Sequence, residues 1–243
     1  MTSSISSPQS PAKSDNNFWG SLPPGLHDAA ARALPADKLR QMIQRLGNQD
    51  VSTNTHDQAH EVSLEQQAKL NALDELLLHT VQTRQQTLGR EHEDTLEAMH
   101  ALAMVQTELR HCSQAETTYR QLLEAHERTM GPDKSWAVSN NLGLVLNQQK
   151  KYAEAEAILR PLLPRLQGRM GKDSPQALGC LRHLMEAVGG QGRYKEAEEM
   201  NVKGFELARG MGGEHRPAEM EAMQEMAAQL EEWKPMHETL AAS

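Results

Sequence analysis

The sequence predicts an all-α protein, a solenoid of about three full helix pairs with a half unit at each end. The first reason is a shared period. Gly89, Gly131 and Gly171 are separated by 42 and 40 residues. The Ala-Glu dipeptides Ala115-Glu116, Ala155-Glu156 and Ala197-Glu198 are spaced 40 and 42, and so are Leu102, Leu142 and Leu184. Three independent anchors with one period mark a repeat array. The second reason is composition. Ala, Leu, Glu and Gln are abundant, 13 residues are Met, and aromatics make up only 3%. Straight-chain residues lose little rotamer freedom in a helix, so an all-β fold is excluded.

Taken in order, residues 1–24 are rich in Ser, Pro and Asn without periodicity, and are expected to form a disordered tail. Residues 25–47 hold short amphipathic helices. Pro35 sits at a helix start, Asp37 falls in the first turn, and Leu39, Met42, Ile43 and Leu46 form one stripe that Gly47 ends. This segment is expected to pack on the main domain, or else to cover a binding surface. Residues 48–62 are polar and read as a linker. Residues 63–234 form the repeat domain, and 235–243 a C-terminal tail. Within the domain, Leu64–Thr87 matches a second helix of a unit with no clear first helix. The middle unit places helix A at Trp136–Gln149 and helix B at Tyr152–Arg169, joined by a polar turn. Met220, Met223, Met226 and Leu230 match a last helix A, with helical spacing that makes them core. Such a unit cannot bury its apolar face alone, so neighbouring units must stack.

These residues resemble the tetratricopeptide repeat family. Its pattern, a bulky residue, then Leu-Gly/Ala on the first helix and Ala-x3-Phe/Tyr on the second, is met by Met99, Leu102-Ala103, Ala115 and Tyr119. Leu142-Gly143, Leu146, Ala155 and Leu159 meet it again, with Ser139 at a usually bulky position, and Leu181, Leu184, Val188 and Ala197 follow. The small residues let helix backbones approach closely. The unit of about 42 residues, with LGREHEDTL from Leu88 and SNNLGLVL from Ser139, is similar to the kinesin light chain type of repeat. The resemblance spans Leu64 to Trp233, some 170 of 243 residues. It implies a right-handed solenoid. The third unit departs from the pattern with Asn201 and Gly204 at bulky positions, and the heptad-rich segment of a kinesin light chain is absent, so a motor subunit is not expected.

The resemblance also implies a function, binding of a partner protein's peptide segment in the concave groove lined by the A helices. The groove residues it implies are His100, Met104 and Thr107 in the first unit, Asn140, Leu144 and Asn147 in the second, and Arg182 and Glu186 in the third. Amides there can donate to and accept from a peptide backbone, and Met offers an adaptable apolar contact. The Lys/Arg and Asn pattern that clamps a C-terminal carboxylate in some relatives does not occur at these positions.

Other functional classes are disfavoured. With 25 Lys+Arg against 33 Asp+Glu, the net charge is −8, which disfavours nucleic acid. The longest apolar run near the middle is Leu76-Leu77-Leu78, far short of a membrane span. Two cysteines and a start without an apolar stretch lead to a reducing, cytoplasmic setting as the expectation. No catalytic, cofactor or metal residues are expected. His56 and His60 share a helical face but lack a third ligand. His111-Cys112 lacks an orienting group, and the glycines at Gly189-Gly190-Gln191-Gly192 follow a helix rather than a strand. The alternatives are a regulatory sensor or self-associating arm, as in related repeats of multidomain signalling ATPases, and, more remotely, an enzyme or enzyme accessory on a helical solenoid.

Overall fold

A computed structural model describes residues 22–23, 25–47, 58–129, 135–212 and 216–241. The described residues form ten helices and no strand. They are α1 (Leu26–Ala33), α2 (Ala36–Gly47), α3 (Gln58–Thr87), α4 (Glu93–Glu108) and α5 (Cys112–Thr129). There follow α6 (Trp136–Gln148), α7 (Tyr152–Met170), α8 (Pro175–Gly190), α9 (Tyr194–Gly210) and α10 (Arg216–Ala241). The chain divides into two compact units at Arg110/His111. The first holds α1 to α4 and the second α5 to α10.

In the first unit, α4 is built to be surrounded. Leu96, Ala98, Met99, Ala101, Leu102, Ala103 and Val105 are all buried, so apolar residues occur on every side of it. It packs on α3, through a face of α3 that buries Leu70, Leu73, Leu77 and Val81, and also on α1. Helix α1 is short and small-sided, with Leu26, Ala29, Ala30 and Ala33 buried. It touches both α3 and α4. The first helix expected to be missing opposite Leu64–Thr87 is therefore replaced by α1. Sequence pattern hid it because an eight-residue, alanine-rich helix carries none of the large anchors of a repeat.

Two expected boundaries move. The first residues of α3, Gln58 to Val62, fall in the stretch read as a linker, and α10 runs through most of the expected C-terminal tail. Both stretches are polar, but Gln, Ala, Glu and Met all favour helix once a neighbouring turn has nucleated it. Residues 48–57 and nearly all of the expected N-terminal tail lie outside the described residues.

In the second unit the helices stack pairwise. Helix α6 packs on α5, α7 and α8, and α8 on α7, α9 and α10. Close approach depends on small residues. A Cβ at Gly143 would lie 2.6 Å from Leu159 side-chain atoms, and Leu159 is itself wholly buried. The departures at Asn201 and Gly204 have one explanation. Met223 fills the space that a Cβ at Gly204 would enter, its Sδ being 2.6 Å away, and the Asn201 Nδ2 donates to the Met223 carbonyl at 3.2 Å. The third unit is thus matched to α10. Met223 and Met226 are core, as their spacing predicts, and Met220 is half-buried.

The recurrent Ala-Glu dipeptide has a role at its acidic residue. The turn after α6 is a Schellman-type cap, with the Lys151 N–H donating to Leu146 O at 2.8 Å and Lys150 at φ 60°. The turn after α8 repeats it, with the Arg193 N–H on Val188 O at 3.2 Å and Gly192 at φ 81°. Each turn aims its next residue at the preceding B helix. Lys151 Nζ meets Glu116 at 2.7 Å, joined by Gln149 at 2.8 Å. Arg193 meets Glu156 at 2.7 Å, joined by Gln191 at 2.7 Å. Arg120 and Arg160 extend the rows to Glu154 and Glu196, and Lys234 closes the last one on Glu198. Lysine at a left-handed position is strained, whereas glycine is not. Lys150→Gly is expected to stabilise the protein by about 1 kcal/mol, read as a raised thermal midpoint. An unchanged or lower midpoint would contradict the cap assignment.

Candidate functional site

The residues implied for the groove do not all face outward. In the first unit, His100 and Met104 are half-buried and one turn apart on α4. Thr107 is buried, and its hydroxyl donates to Ala103 O at 2.7 Å. It closes its own helix and is not presented to a ligand. Register also decides what α1 covers. Leu102 corresponds to Leu184, so Ala101 corresponds to His183, which on α8 faces the preceding A helix α6. Ala101 is fully buried while His100 and Met104 stay half-exposed. Helix α1 therefore lies where a preceding A helix would, with His100 and Met104 half-exposed beside it.

In the second unit, α6 and α8 lie side by side and present Asn140, Leu144, Arg182 and Glu186, all half-buried. Beneath them runs a polar seam. The Asn140 Oδ1 lies 3.3 Å from His183 Nδ1, so an amide oxygen accepts from the ring N–H. The Asn147 Nδ2 donates to His183 O at 2.8 Å and to Glu186 Oε2 at 3.3 Å. Asn147 is 2% exposed, so it belongs to the seam rather than to the surface. Burial, with a smaller contribution from the Arg182 charge, drives the His183 pKa down to about 3 and keeps the ring neutral. Arg182 makes no hydrogen bond or ion pair among the described residues, unlike Arg120, Arg160 and Arg193.

Sequence reasoning missed the lower end of this strip. Tyr152 opens α7 and lays its ring on Gly190, where a Cβ would come within 2.5 Å. Its ring centroid is 6.2 Å from that of Trp233 on α10. Gly189 is filled in the same way by Leu230 and Trp233. The glycine pair was visible in sequence, but the rings that require it come from two other helices.

The side chains that could have carried chemistry are otherwise engaged. His92 caps α4, its Nδ1 accepting from the Asp94 N–H at 3.2 Å. The Cys112 thiol donates to Gln148 at 3.2 Å, and burial pushes the Cys180 thiol up to about 12. Among the described residues no cluster of His, Cys, Asp or Glu could hold a metal ion, and no helix is long and apolar enough to cross a membrane. The His56/His60 pair lies outside the residues whose side chains are described.

Comparison with known proteins agrees with this architecture. The tetratricopeptide repeat family matches residues 137–210 and, separately, 95–133. No protein of curated function matches the chain. Among solved structures, a single-substitution form of the nearly identical TPR-like repeats of a candidate kinesin light chain from Podosopora anserina superposes with a TM-score of 0.50 at 19% identity. That match covers 76% of this chain and 93% of the other. BtubC (BKLC) from P. vanneervenii gives 0.54 at 15% identity, covering 84% and 95%. At these identities the likeness is one of fold. Residues 95–133 and 137–210 thus carry tetratricopeptide repeats, repeats that generally serve as protein–protein interaction scaffolds, and the fold is the α-solenoid of kinesin light chain-like repeats.

Proposed function

We propose that the chain binds a peptide segment of another protein along its A-helix strips, as an adaptor or assembly factor. The observation that carries this is the surface of α6 and α8. Their other sides are packed with buried apolar residues, yet one side presents Asn140, Leu144, Arg182 and Glu186 half-buried together. That side mixes an apolar centre with hydrogen-bonding groups of both charges, the composition of a recognition surface rather than of a solvated helix face. On α4, His100 and Met104 occupy the corresponding register.

Asn140 supports His183 from within, so substituting it would disturb the seam as well as the surface. The cleaner test is Leu144→Asp with Arg182→Glu. Affinity capture from extract of the source cells, read by mass spectrometry, is expected to lose a partner that wild type enriches, by at least about tenfold. Circular dichroism of both proteins checks folding. Equal capture by the folded double variant would rule the strip out.

A further inference from the structure

At the lower end of the α6–α8 strip three kinds of group converge. The Asn147 amide donates to His183 O and Glu186, which fixes its orientation and leaves its Oδ1 buried with no hydrogen-bond partner. An unfilled buried acceptor is costly, which makes it a place where a donor adds free energy. The Glu186 carboxylate lies 3.3 Å from the Nδ2 of the same amide. The Tyr152 ring packs on Gly190, one turn after Glu186 on α8, and against Trp233. Burial first, and the Glu186 charge second, raise the Tyr152 pKa, consistent with the two side chains being neighbours.

We propose that this corner is a subsite for a basic side chain, lysine or arginine, of the bound segment. Its nitrogen would lie between the Glu186 carboxylate and the Asn147 Oδ1, with the Tyr152 ring as a wall. The chemistry is complementary in each part. A carboxylate and an amide oxygen only accept, an ammonium or guanidinium only donates, and an aromatic ring attracts a cation. Arg182, one turn before Glu186, makes no ion pair among the described residues and so does not reach into the corner. The corner is also singular along the repeat. Thr107 and Gly189 stand at the positions corresponding to Asn147, and the first bonds its own helix while the second has no side chain.

This inference rests on the peptide-binding reading, and the test separates the two. Random peptides of about 12 residues, longer when extended than either helix, are displayed on phage and selected on the full chain, on Leu144→Asp and on Glu186→Lys. Circular dichroism is recorded for each. Peptides lost with Leu144→Asp are expected to share a Lys or Arg at one position. Glu186→Gln should weaken them about tenfold, and Glu186→Lys should select Asp or Glu at that position. Leu144-dependent peptides with no basic position, or with one indifferent to Glu186, would overturn the subsite and leave the strip standing. No Leu144-dependent peptide at all would overturn both.

Discussion

Gly143→Val is expected to destabilise the protein by about 3 kcal/mol, the largest effect of any single substitution considered. A Cβ at Gly143 meets the Leu159 side chain at 2.6 Å, and Leu159 is enclosed on every side, so neither partner has room to yield. At this chain length such a loss lowers the thermal midpoint by roughly 10 °C. The contact itself is tested by a cycle with Leu159→Ala. The double variant should be more stable than the sum of the single losses predicts, by more than about 1 kcal/mol, because the cavity of one change receives the bulk of the other. Strict additivity would mean that the loss arises elsewhere in α6.

The second large effect is on acid stability. Glu116 and Glu156 are 12% and 15% exposed. Burial pushes each carboxyl up, but the bonds from Lys151, Gln149 and Arg120, and from Arg193, Gln191 and Arg160, outweigh it and hold both at about 2. A carboxyl whose folded pKa lies below its unfolded value stabilises the fold above the unfolded value, 4.5 here. That contribution is lost as pH falls from about 4.5 through about 2. Each residue is expected to contribute roughly 2 kcal/mol at neutral pH after allowance for partial solvent screening. Thermal midpoints measured from pH 6 to 2.5 should fall steeply below about pH 4.5. Glu156→Gln should cost about 2 kcal/mol at pH 7 and much less at pH 2.5, where the wild-type carboxyl approaches protonation. A cost independent of pH would show that the row works by packing and not by charge.

What the sequence revealed, and what it hid, follows from the range of each interaction. The period was legible because every unit must bury the same face, so Leu102, Leu142 and Leu184 recur whatever their surroundings. Residues at i and i+4 share a helix face, which sequence alone shows, and His100/Met104, Asn140/Leu144 and Arg182/Glu186 are half-exposed. The third residue of the first two sets does not share that exposure. Thr107 and Asn147 stand three positions on, where the face has rotated into the neighbouring helix, and both are buried. The dipeptide Ala155-Glu156 stood out as an anchor, but of the cations on its carboxylate only Arg160 lies on the same helix, whereas Arg193 comes from a turn 37 residues away that the stacking of units brings near. Gly204 looked like a weakness in its own helix. It is a fit, and the residue that makes it one, Met223, lies on α10.

Site-specific photo-crosslinking tests whether a partner lies along the A-helix strip. Benzoylphenylalanine is placed at Leu144 on the strip and, in a second protein, at Val202, which is 58% exposed on α9. Both proteins are irradiated in extract of the source cells, and crosslinked peptides are sequenced. One partner segment is expected to crosslink from position 144 and not from 202. The same partner crosslinked from 202 and not from 144 would contradict it.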